Sequence, residues 1–224
     1  MRFSNTSRAG ILIAALCLYA QAQDTPSKEV QVSEVKGLPP RAAPADYQAQ
    51  AQAGAVTIAA EFKGHSAPTP QGTFTTEDFV VVEAAFFGAP EARAKLSNDD
   101  FSLRINGKKT ALPGQPCTLA FKSLKDPEWE PPVPAEAKSK TSFGGGGKGG
   151  QGDSNSPPAP VHMPMALQRA MEQQVQKASL LEGDRALPQA GLIFFQYRGK
   201  TDGIHSIELI YSGSAGKATL MLEP

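Results

Sequence analysis

Asp78-Phe79-Val80-Val81-Val82-Glu83-Ala84-Ala85-Phe86-Phe87 decides the fold. Successive side chains of a strand point to opposite faces. Both faces are apolar here, so the segment reads as a central strand covered on two sides. Upstream, Val56-Thr57-Ile58-Ala59-Ala60-Glu61-Phe62 is a second strand candidate, and His65 to Gly72, with Pro68 and Pro70, reads as a loop. Downstream, Phe101, Leu103 and Ile105 alternate with Ser102 and Arg104, the mark of a half-buried strand. Asn106-Gly107 follows as a hairpin signal, because both residues accept positive φ. Thr110, Leu112 and Cys117 to Phe121 continue the β character. Near the C-terminus, Gly191 to Tyr197 is a strand, Ile207, Leu209 and Tyr211 alternate in the next, Ser212 to Gly216 turns the chain, and Ala218, Leu220 and Leu222 alternate in the last. One helix is expected, over 164–181: Pro164 suits a first turn, Leu167, Met171, Val175 and Ala178 form an apolar stripe, and Gly183 supplies a stop. About seven short strands and one helix predict a mainly-β fold, a β-sandwich with the helix docked on it.

The rest of the chain is built differently. Of its 224 residues, 21 are Gly and 19 are Pro, too many for every segment to join a core. Residues 1–22 read as a secretory signal peptide: Arg2 and Arg8, the apolar run Ile11 to Ala20, then Ala20-Gln21-Ala22 as a small-x-small cleavage site. The run is shorter than the ~20 residues a membrane span needs. Leu16 before Cys17 does not suit lipid attachment. Residues 23–53, with Pro39-Pro40, Pro44 and the repetitive Tyr47 to Ala53, are expected to form a flexible linker. Residues 54–224 are the expected folded domain, interrupted by 122–162, where seven Gly and seven Pro fall together. That insertion is expected to be a disordered loop. Closing a loop of this length rather than a short one costs only about 2 kcal/mol, so the fold tolerates it. Trp129, the single tryptophan, sits in it among Asp126, Glu128 and Glu130, which makes it a candidate anchor for a partner.

Three landmarks resemble a known pattern: Glu77 to Glu83, Phe101 to Ile105 before a turn, and Leu187-Pro188-Gln189-Ala190-Gly191-Leu192-Ile193-Phe194-Phe195 followed by Ile207 to Tyr211. They are similar to the extracellular immunoglobulin-like domains of unassigned function in bacterial secreted proteins and lipoproteins. The resemblance covers about residues 54–121 and 185–223. It departs from that pattern where Pro188 is not followed by Gly. It implies an immunoglobulin-like β-sandwich and a periplasmic or extracellular address, and it carries no catalytic residues.

The charge balance of 22 Lys+Arg against 22 Asp+Glu argues against a nucleic-acid partner, which calls for a basic excess. His65, His162 and His205 lack any zinc-ligand spacing. Asn98-Asp99-Asp100 lacks calcium-loop spacing and is expected to start the strand at Phe101. Lys148 follows four glycines, but Ser142 and Gly149 stand where a phosphate loop needs Gly and Ser or Thr. No Gly-x-Ser-x-Gly elbow marks a hydrolase. Cys117, alone after signal cleavage, reads as a small buried hydrophobe. His162-Met163-Pro164-Met165 offers imidazole and thioether groups that suit Cu(I); its plainer reading is an apolar lip over the sheet. The expectation is an exported, non-enzymatic module that binds another protein or an envelope component. No catalytic, cofactor or metal residue is assigned, and no transmembrane segment remains after cleavage. A periplasmic copper carrier and an uncharacterised hydrolase are the alternatives.

Overall fold

A computed structural model describes residues 37–130 and 163–224. The signal peptide, the first part of the linker, His162, Lys148 and most of the Gly/Pro-rich insertion lie outside the described residues. In chain order the first strands are β1 (Ala49–Ala53), β2 (Val56–Gly64), β3 (Ser66–Thr69), β4 (Gly72–Thr76), β5 (Phe79–Phe87) and β6 (Arg93–Leu96). Then come β7 (Phe101–Ile105), β8 (Leu112–Gln115), the helical turn α1 (Cys117–Ala120) and β9 (Leu124–Lys125). The helix α2 (Met165–Ala178) precedes β10 (Gly183–Ala186), β11 (Gln189–Gln196), β12 (Ile207–Gly213) and β13 (Gly216–Leu222).

The valine-rich segment is β5, and only its last residue is not fully buried. It pairs antiparallel with β2 on one side and β11 on the other. These belong to an eight-stranded sheet ordered β1-β2-β5-β11-β8-β7-β12-β13, whose pairings are all antiparallel. The sheet curls on itself into a nearly closed barrel. Phe86 of β5 packs edge-on against Phe101 of β7 and Tyr211 of β12, at ring separations of 5.8 and 5.7 Å, although β11 and β8 separate β5 from β7 in the sheet order. The end strands meet at a seam, where Gln48 Nε2 donates to the Glu223 carbonyl at 2.9 Å. One core fills the inside, with Ile58, Val82, Phe86, Leu103, Phe195 and Leu209 among its members.

The outer face of β5 is covered too, as its two apolar faces demand. Phe79 and Val81 of β5, with Leu192 and Phe194 of β11, pack under Met171, Val175 and Ala178 of α2 and under Phe74 of the small sheet β3-β4-β9. Further along, Ala59, Ala85 and Ala190 lie under Tyr47.

Four local expectations are corrected. The folded part begins before residue 54: a 3-10 turn spans Pro44–Asp46, Tyr47 is buried, and β1 pairs with β2. The Ala/Gln repeat that suggested a flexible linker has the period of a strand. Ala49, Ala51 and Ala53 face the core while Gln50 and Gln52 face out. Residues His65 to Gly72 hold β3 and the start of a hairpin rather than a loop. Pro68 is tolerated because β3 pairs on one side only. Cys117 to Phe121 is helical, not extended. Cys117, Ala120, Phe121 and Leu124 all meet the outer core at helical spacing, which a short apolar run does not reveal on its own. Finally α2 ends at Ala178, short of Leu181, because Ser179 and Leu180 turn to join β11. At Asn106-Gly107 both residues take positive φ, 54° and 63°, and β7 turns back to pair with β8 as expected.

Candidate functional site

The insertion leaves and rejoins the fold at one place. After β9, the Asp126 carboxylate accepts from the Glu128 amide at 2.9 Å, and the Trp129 amide donates to the Asp126 carbonyl at 3.2 Å. The chain re-enters the described residues at Met163, next to the first turn of α2, where Pro164 supplies the carbonyl that Gln168 bonds. Between the two points lies a groove of about 440 Å³, walled by Leu124, Trp129, Met163, Gln168 and Met171. A smaller cleft of about 180 Å³ adjoins it, between Phe74, Glu128 and Leu167. Leu167, expected on the buried stripe of α2, is instead 36% exposed, and Met165 is 62% exposed. Met163 packs against the outer core. The groove therefore has an apolar floor, two adaptable thioether walls and an indole edge.

The structure brings Trp129 and Met163 together, which their separation in sequence did not suggest. It does not gather the other candidates. His65 points both ring nitrogens at carbonyls, Nδ1 at Phe79 (2.7 Å) and Nε2 at Gly199 (2.9 Å), and stacks on Tyr197. It forms one wall of an open cavity of about 530 Å³ shared with Thr75, Lys125, Arg198 and Lys200. With both nitrogens engaged, neither is placed to activate a nucleophile. His205 is exposed beside Asn106. Asn98 to Asp100 form a 3-10 turn capped by Ser97 that leads into β7, as expected. Burial, with the nearby Asp99 charge, pushes the Asp100 carboxyl up from its ordinary value. Cys117 is half-buried, and burial pushes its thiol up. No group of three or more His, Cys, Asp or Glu side chains able to hold a metal occurs among the described residues. No helix among them is long and apolar enough to cross a membrane.

One cluster went unnoticed in the sequence. Glu61 and Glu83 lie directly opposite each other on β2 and β5. Arg41 bonds Glu61 and approaches Glu83 Oε2 at 3.3 Å, while Lys63 Nζ lies 2.7 Å from Glu61 and 3.3 Å from Glu83. The Arg41 guanidinium sits 4.4 Å over the Tyr47 ring. Burial works to raise the Glu61 carboxyl, but Lys63 and Arg41 outweigh it and hold it below the usual value. Burial is also the main force raising the Tyr47 phenol. The cluster rivets residues 37–48 to the barrel. The signal that could have found it is a glutamate inside each of two apolar strands.

Comparison with protein-family models, curated proteins and solved structures finds no match to this chain.

Proposed function

We propose that the protein is an exported, non-enzymatic binding module whose groove beside α2 receives a segment of another protein. The observation that carries this reading is the convergence of Leu124, Trp129, Met163 and Met171 on one cavity, with Leu167 exposed in the adjoining cleft that shares Met171 with it. Apolar pockets edged by a few polar groups are the usual form of a binding site, and tryptophan is enriched among residues that dominate binding energy. Export rests on the signal-like sequence of residues 1–22. Kinship with immunoglobulin-like secreted domains rests on the strand motifs of 54–121 and 185–223.

A photoreactive residue at Leu167 in the full chain tests the reading in its native cells. Crosslinks should concentrate on one protein and disappear with Trp129→Ala. Adducts identical to those from position Thr219, exposed on β13, would refute it.

A further inference from the structure

We infer that the groove is built for a basic peptide carrying a large apolar side chain, an inference that rests on the binding reading above and narrows its partner. The apolar part follows from the walls. A volume of about 440 Å³ admits a bulky side chain with its backbone. Methionine walls adapt to leucine, phenylalanine or methionine alike. The charge follows from the carboxylates. Asp126 lines the groove and Glu128 the adjoining cleft; Glu130 follows Trp129 in the chain, and Glu172 follows Met171 and accepts from the Gln168 amide. None of these four carboxylates has an ion-pair partner among the described residues. Lys125, the one cation lining the groove among the described residues, is bound to Glu77, and Arg169 is the only basic residue in the first half of α2. Unpaired carboxylates in and beside an apolar groove disfavour phosphates and acidic segments. They favour lysine or arginine on either side of the buried side chain.

Trp129 is the only tryptophan in the chain, so its fluorescence reports the groove directly. Three short tryptophan-free peptides share a central Leu-Phe-Leu, flanked by lysines, by serines or by glutamates. Each is titrated into the full-length protein. The lysine peptide should give a saturable change, bind about tenfold more tightly than the serine peptide, and lose that advantage in high salt. The glutamate peptide should be silent. Glu128 and Glu130 are exposed, so Glu128→Lys with Glu130→Lys leaves the fold intact and should reverse the order of the peptides. Met163→Ser, in the groove wall, should weaken every peptide.

Equal binding of all three peptides would overturn the charge inference and leave the groove reading standing. No saturable change with any peptide would remove the groove reading as well. A response that emerges only after Lys138→Ser and Lys140→Ser would assign the carboxylates to the chain's own lysines. A Trp129 signal that varies with protein concentration alone would assign the groove to a second copy. Either result overturns the partner proposed.

Discussion

Replacing Arg41 by alanine should destabilise the barrel by about 2 kcal/mol. The Glu83 side chain is only 6% exposed, and its two cations stand at 3.3 Å each. Removing one partner of a fully buried ion pair costs about 3–5 kcal/mol, because a charge is left unmatched in low dielectric. Arg41 is 31% exposed and Lys63 remains, so the loss falls well below that range. The guanidinium stacked on Tyr47 adds about 0.5–1 kcal/mol. Urea denaturation of the full chain reads the difference: with a slope of about 2 kcal/mol per molar, the midpoint should fall by about 1 M. The sign with pH is fixed by Glu61. Its carboxyl is held below the ordinary value in the fold, so its contribution is complete above that value and vanishes as pH falls through the lowered one. The gap between wild type and Arg41→Ala should therefore narrow on acidification below the ordinary glutamate range, about pH 4.3. A midpoint unchanged at pH 7, or a gap that widens in acid, would refute the reasoning.

Phe86→Ala should cost about 3–5 kcal/mol in the same assay, since the ring is fully buried between Phe101 and Tyr211 inside the barrel. Gly54 has φ +60° and a Cβ there would lie 2.5 Å from the Ala215 carbonyl oxygen, so Gly54→Ala should cost about 1–3 kcal/mol. Gly72→Ala, with open space around it, should cost less than about 1 kcal/mol and serves as the control. Cys117 should react slowly with a thiol-disulfide reagent at pH 7 and faster as pH rises, because burial keeps the thiol protonated. A pH-independent rapid reaction would contradict that.

Strands with a face to bury were plain in the sequence, β5 above all. Its double apolar character announced a covered outer face, and α2 with the β3-β4-β9 sheet supplies the cover. What escaped were segments whose composition hides their period. Tyr47 to Ala53 looks like low-complexity chain because alanine is a weak hydrophobe, yet against the crowded inner core a small residue is what fits. Cys117 to Leu124 is too short for its helical spacing to outvote a β-like composition. The groove was half legible: Trp129 and Met163 each stood out, but only tertiary folding brings the two ends of a long insertion to one side of α2. The Arg41 cluster was hidden for a similar reason, since cross-strand register is a property of pairing and not of either strand alone.

The seam between β1 and β13 fixes an order of events. The first strand of the barrel pairs with β2 on one side, but its other side meets only the last strand, across almost the whole folded chain. Until Gly216 to Leu222 is synthesised, β12 has one bare edge, and the interior stays open to water along that side. Closing the barrel therefore carries the largest loop-closure entropy of any strand contact in the fold, a non-local step of the kind that slows folding.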